Sequence, residues 1–267
     1  MATGLFNICN HDVYGSPPTF DYGPNCNINL EQHECGRELE AYLRKEFPEL
    51  ASPPAHCLVE AFLNCRGSKC HFNAVTGSGW NPVQSKHALD FICDLVTNTK
   101  VTPGEVFIIT PYRASVEYIE RQRKEPEYSA ISAMAPATTI DDFQGRQGDI
   151  IILVTATTAT SISSRIFDVH HLSVMLSRQI SGLVIFGDLE ILSEFGRQKS
   201  KATQAQANGK YVIAARRKKS QGLKDASLFC NVLDTLMVRR RVATLPVPKS
   251  HKKMVLLPPT RRPRGSV

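Results

Sequence analysis

Apolar residues fall along this chain in two rhythms. Through its middle, short unbroken apolar runs at 106–109, 150–154 and 183–186 are rich in β-branched residues. Runs of that length without alternation predict strands buried on both faces. Around them the apolar spacing changes to three and four residues, and 83–96, 114–123 and 170–180 predict helices. Strand and helix taking turns predicts crossovers and an α/β fold, with a mostly parallel sheet covered by helices on both faces. Sites in such folds form beyond the carboxyl ends of the strands.

The flanks read differently. Residues 1–68 are rich in Pro, Gly, Asn and Cys, with one helix predicted over 31–47, where Leu39, Leu43 and Phe47 recur at four-residue spacing beside Tyr42. Pro48 and Pro53-Pro54 end it. This region is expected to be an irregular segment packed on a domain spanning 69–195. Beyond it, Leu228, Phe229, Val232, Leu233 and Leu236 form a stripe that predicts a closing helix over 226–238, inside a linker region of 196–244. Residues 245–267 are Pro-, Lys- and Arg-rich with little to pack, which predicts a disordered basic tail.

The candidate chemistry lies in the polar segments between these elements. Thr110-Pro111-Tyr112-Arg113 follows the first central strand, and Thr139-Ile140-Asp141-Asp142-Phe143-Gln144-Gly145-Arg146-Gln147-Gly148-Asp149 feeds the second. Leu172-Ser173-Val174-Met175-Leu176-Ser177-Arg178 precedes the third, and Gly77-Ser78-Gly79-Trp80-Asn81 precedes the first long helix. In this order the blocks resemble motifs IV, V and VI, and the preceding "GS..N" loop, of the second, C-terminal RecA-like domain of superfamily 1 helicases of the Upf type. That group includes the nonsense-mediated-decay and Okazaki-fragment helicases. The resemblance covers roughly residues 70–190 well and residues 1–69 loosely.

The resemblance implies a RecA-like, P-loop NTPase-type fold and half of an ATP-driven nucleic-acid motor. Such motors hold ATP and Mg²⁺ in a cleft between two RecA-like domains. Arg178 matches the family's arginine finger, whose charge stabilises the phosphoryl-transfer transition state. Gln144, Gly145, Arg146 and Gln147 match the nucleotide-binding loop. Thr110, Pro111, Tyr112, Arg113, Thr139, Ser177 and Asn81 match positions that grip the backbone of single-stranded RNA or DNA, a mode that carries little base specificity. The hydroxyls of Thr110 and Thr139 equally fit strand-end caps.

The chain also departs from the family pattern. Gln147 stands where an acidic residue is usual, Ser173 replaces an asparagine, and His171 holds the position of a basic residue. Ile180 replaces a second arginine, and 163–167 lacks the usual glycines. No G-x4-G-K-[ST] occurs anywhere, and no Asp-Glu dipeptide. Met1-Ala2 is similar to the "RMA" found just after the first domain's last motifs. A first motor domain is therefore expected to come from elsewhere, in cis or in trans, and ATP with Mg²⁺ to bind only in its presence. The expected function is the C-terminal half of an ATP-dependent RNA or DNA helicase, unable to hydrolyse ATP alone. The alternatives are a non-catalytic module that binds nucleic acid or protein, and a truncated or degenerate helicase fragment.

Composition adds four points. A chain of 267 residues with 42% hydrophobic content can bury a full core. No apolar run approaches the roughly 18–20 residues that span a bilayer, and no leader opens the chain, so an intracellular protein, cytoplasmic or nuclear, is expected. Eight scattered cysteines without paired C-x2-C spacing predict free thiols and no metal site. The net charge of +7 conceals a split: residues 1–196 carry 14 Lys/Arg against 23 Asp/Glu, and residues 197–267 carry 18 against 2. The basic part suits phosphate neutralisation or a solvated extension, and Arg216-Arg217-Lys218-Lys219 fits a nuclear signal.

Overall fold

The run Ile150-Ile151-Ile152-Leu153-Val154 is unbroken because both of its faces are covered. Structure is described, from a computed structural model, for residues 1–15, 20–159, 166–192 and 228–246, and for the backbone alone at 212–213, 224–225 and 227. In chain order the elements are α1 (Glu34–Glu46), β1 (Ala61–Asn64), β2 (His71–Phe72), β3 (Gly79–Trp80), α2 (Pro82–Asn98), β4 (Val106–Thr110) and α3 (Arg113–Gln122). They continue as β5 (Thr138–Thr139), β6 (Gly148–Val154), α4 (Val169–Met175), β7 (Gln179–Gly187), β8 (Val212–Ile213), β9 (Lys224–Asp225), α5 (Ser227–Val238) and β10 (Val242–Thr244). Six strands form one sheet in the order β10-β1-β7-β6-β4-β5, every neighbouring pair parallel. The expected α/β, RecA-like architecture is what the chain adopts.

Strand alternation sorts the core into two layers. Ile150, Ile152 and Val154 face α1, α2 and α3 through Leu39, Leu43, Leu89, Ile92 and Ile119. Ile151 and Leu153 face the other way, toward Leu172 and Met175 of α4 and Phe229, Val232, Leu233 and Leu236 of α5. Two glycines let α1 lie close against β7. A Cβ on Gly36 of α1 would stand 2.3 Å from the Ser181 carbonyl, and one on Gly182 would stand 2.4 Å from a Leu39 methyl. A side chain at Gly36 would meet backbone and force α1 off the sheet, whereas one at Gly182 would displace the end of the Leu39 side chain.

Three expectations change. Residues 61–64 belong to the segment expected to be irregular, yet they form β1, paired to β7 on one side and β10 on the other. Both flanks of the chain thus complete the sheet. Second, the helix expected over 170–180 stops at Met175. Ser177 turns back to donate to the Ser173 carbonyl at 2.6 Å, and Gln179 already pairs with Gly148. Arg178 therefore sits in a turn, not on a helix. Third, Arg241 of the basic region is buried, its guanidinium forked onto Glu40 of α1 at 3.0 and 2.7 Å. It pins the chain before β10 to α1 and offers nothing to a phosphate.

The expected tail falls mostly on 247–267, outside the described residues, as do 163–165 and the basic cluster 216–219. Among the described residues no helix is long and apolar enough to cross a membrane.

Candidate functional site

The loop between β5 and β6 is built from two anchors and an exposed crest. It leaves the sheet as the Ile140 N–H donates to the Thr110 carbonyl at 3.0 Å. Thr139 Oγ1 accepts from the Asp142 N–H at 3.1 Å and donates to the Asp142 carboxylate at 2.8 Å, which closes the first turn. Ile140 and Phe143 drop into the core. The Arg146 guanidinium lies over the Phe143 ring, 5.0 Å from its centroid. What remains, Gln144, Gly145, Arg146 and Gln147, is exposed. Gly145 has φ +79° with open space where a Cβ would be, so the glycine serves the left-handed turn.

The turn between α4 and β7 meets the end of this loop. The Gly148 N–H donates to the Arg178 carbonyl at 3.0 Å. Ser177, largely buried, accepts from Arg178 Nη2 at 2.8 Å and Nε at 3.3 Å. The Arg178 guanidinium is half-buried and has no carboxylate partner among the described residues. Just beyond it the β6–β7 register slips by one residue, from Gly148↔Gln179 to Ile150↔Gly182. That irregularity is a device that re-aims a chain at the rim of a sheet.

His171 ties the beginnings of the same two segments together. Its Nε2 is 2.8 Å from Asp141 of the loop and its Nδ1 is 3.3 Å from Asp168, the N-cap of α4. Slight burial works against ionisation of Asp168. The backbone N–H groups of His171 and His170 and the two imidazoles outweigh it, holding the carboxyl below its ordinary range. Ile140, Asp141, Gln144, His170, His171, Ser173 and Val174 line a cleft of about 230 Å³. Of the expected nucleotide-loop residues, Gln144 lines this cleft, whereas Gly145, Arg146, Gln147 and Arg178 lie outside its wall. Sequence reasoning noted His171 as a departure and missed its two acidic partners, one of which lies inside the quoted loop.

The remaining expected contacts lie at the carboxyl end of the sheet, and there most side chains turn inward. Asn81 is wholly buried: its Oδ1 caps α2 by accepting from Val83 and Gln84 N–H at 3.1 Å each, and its Nδ2 donates to Ser68 at 2.9 Å. Thr110, Pro111 and Tyr112 are buried as well. All four residues expected to reach a nucleic acid here, Asn81, Thr110, Pro111 and Tyr112, are thus buried in this structure. Arg113 is exposed, 3.8 Å from Glu117, and Thr139 is half-buried. Beneath them Gln84 donates to the Thr157 carbonyl at 2.9 Å and accepts from Thr155 at 3.3 Å, whereas the buried Thr110 hydroxyl has no partner among the described residues.

Comparison with known proteins matches residues 29–190 to the AAA domain family. Over 141 residues, 50% of this chain, the sequence is 30% identical to regulator of nonsense transcripts 1 of Dictyostelium discoideum. The match covers 10% of that relative's length, so the chain spans about a tenth of the curated protein it resembles.

Proposed function

The chain belongs to the AAA domain family and carries a superfamily 1 helicase-like domain, and on that premise we propose that it is the second RecA-like half of an ATP-dependent motor acting on single-stranded RNA or DNA. The observation that carries this reading is the Arg178 turn. A half-buried guanidinium oriented by Ser177, joined through its carbonyl to the exposed 144–147 loop, and without a carboxylate partner among the described residues, is a cation prepared for an external anion.

The turn fits a nucleotide phosphate, since Nη1 has no partner among the described residues. Bound ATP supplies the phosphoryl group and its anionic oxygens. Arg178 supplies a fixed positive charge where negative charge spreads in the transition state. Gln144, Arg146 and Gln147 present polar groups from the adjoining crest, with Gly145 setting its turn. Mg²⁺ is expected to accompany ATP only when a first motor domain is supplied. The sequence lacks a G-x4-G-K-[ST] cradle for the β- and γ-phosphates. Of the described residues expected to contact a nucleic-acid backbone, Arg113 and Thr139 at the carboxyl end of the sheet are the exposed and half-buried ones.

The purified chain alone is expected to hydrolyse no ATP, with or without single-stranded RNA or DNA. A first motor domain supplied in cis or in trans restores strand-stimulated turnover, and Arg178→Ala then lowers it by about 10³-fold or more. Turnover by the chain alone, or restored turnover indifferent to Arg178→Ala, refutes the reading.

A further inference from the structure

Arg178 is held from both sides by the first fourteen residues. On its carboxyl side, Gln179 is wholly buried, and its side-chain amide donates to the Leu5 carbonyl at 3.0 Å and the Leu176 carbonyl at 2.9 Å. One residue further, the Ile180 carbonyl accepts from the Ala2 N–H at 2.6 Å, within the register slip between β6 and β7. On its amino side, the Tyr14 hydroxyl meets the Ser173 hydroxyl at 2.6 Å, and the Ser173 carbonyl in turn receives Ser177, which grips the guanidinium. Between these ties the helical turn Cys9–Val13 packs onto α4 and α5, with Ile8 and Cys9 in one cluster with Leu172, Met175, Leu176 and Phe229. The turn bearing Arg178 is thus fastened to a segment more than 150 residues away in sequence.

We propose that residues 1–14 form a strap that orients Arg178, and that Gln179 is its principal positioning residue, with Tyr14 a second. The inference rests on the assignment of Arg178 to a nucleotide phosphate. Gln179 is suited to the task because one amide nitrogen bridges the strap's backbone and the end of α4. A hydrophobic residue of equal size would fill the space and release both carbonyls. A guanidinium freed to sample other rotamers loses the oriented geometry that electrostatic catalysis requires, and a misplacement near 1 Å can cost about 10²-fold in rate.

The test uses the whole chain, with Gln179→Met, Tyr14→Phe and, as a control, Ser181→Ala. Ser181 lies in the same strand as Gln179, and Ser181→Ala removes its buried hydrogen bond to His33 without touching the turn. The first readout is the side-chain Nε–H of Arg178 in ¹⁵N relaxation on the chain alone. The strap predicts an ordered signal that becomes mobile in Gln179→Met and, to a lesser degree, in Tyr14→Phe, and stays ordered in Ser181→Ala. Tyr14 is exposed, so Tyr14→Phe carries the test should Gln179→Met fail to fold. The second readout is turnover with a first motor domain supplied: kcat falls about tenfold in Gln179→Met with KM for ATP unchanged. An Arg178 signal that stays ordered in every folded strap variant overturns the proposal. Turnover unmoved by Arg178→Ala refutes the phosphate assignment instead, and the relaxation result then still decides whether the strap orders the turn.

Discussion

Two polar regions of this protein use the same kinds of side chain to opposite ends. At the carboxyl ends of the strands, Asn81, Gln84, Thr155 and Thr157 are buried and bonded to one another or to backbone. Along the 139–148 loop and the Arg178 turn, Gln144, Arg146 and Gln147 are exposed, and Arg178 is oriented by Ser177 without a carboxylate partner among the described residues. In the first region the polar groups are partners for the fold. In the second they are left exposed to solvent. Residue type and motif membership do not separate the two; what each group is already bonded to does.

That contrast can be broken by substitution, and the interior groups should fail hardest. Arg241→Met leaves Glu40 buried without its fork, and urea denaturation should show a loss of about 3–5 kcal/mol. Replacing Glu40 and Arg241 together by apolar residues should recover most of it, since the desolvation cost leaves with the pair. An equal loss in single and double variants would mean that shape, not charge pairing, holds the strand beside α1.

Glu60, just before β1, is almost wholly buried, one carboxylate oxygen has no partner among the described residues, and burial raises its pKa from 4.5 to about 7. The folded state therefore holds this proton more tightly than the unfolded chain. Ionisation costs nothing near pH 4.5, costs progressively more as pH rises, and reaches its full cost above about pH 7. Glu60→Gln should stabilise the protein by up to about 3 kcal/mol at pH 8 and hardly at all near pH 4.5. Thermal melts at the two pH values check this, and stabilisation that does not depend on pH would contradict it.

Smaller effects follow at the two regions themselves. Asn81→Ala removes the α2 cap and should cost about 1–2 kcal/mol by chemical denaturation, whatever nucleic acid is present. Gln147→Glu, on the exposed crest, should leave stability within about 0.5 kcal/mol. A large stability change at Gln147, or none at Asn81, would erase the distinction between the two regions.

The sequence made one of the regions easier to read than the other. The central strands β4, β6 and β7 announce themselves because burial on both faces leaves no room for alternation. β1 and β10 do not, because Ala61–Asn64 and Val242–Thr244 are too short to carry a period and gain their stability from parallel neighbours distant in sequence. The loop and the Arg178 turn were legible as motifs, since their residues lie close together along the chain. The inward turn of Asn81 and Thr110 was not, because burial at a strand end depends on what packs above it. Gln179 was invisible for a related reason: its partner is the carbonyl of Leu5, and no side-chain pattern in residues 1–14 marks it.

The central claim is that Arg178 acts on a nucleotide's phosphates in the transition state rather than on nucleotide binding in general. The most direct test is the affinity of the chain, assembled with a first motor domain and single-stranded RNA, for ADP–aluminium fluoride compared with ADP. The predicted result is that Arg178→Ala weakens binding of the aluminium fluoride complex by about 10²-fold or more and leaves ADP binding nearly unchanged. Equal weakening of both ligands, or of neither, would contradict it.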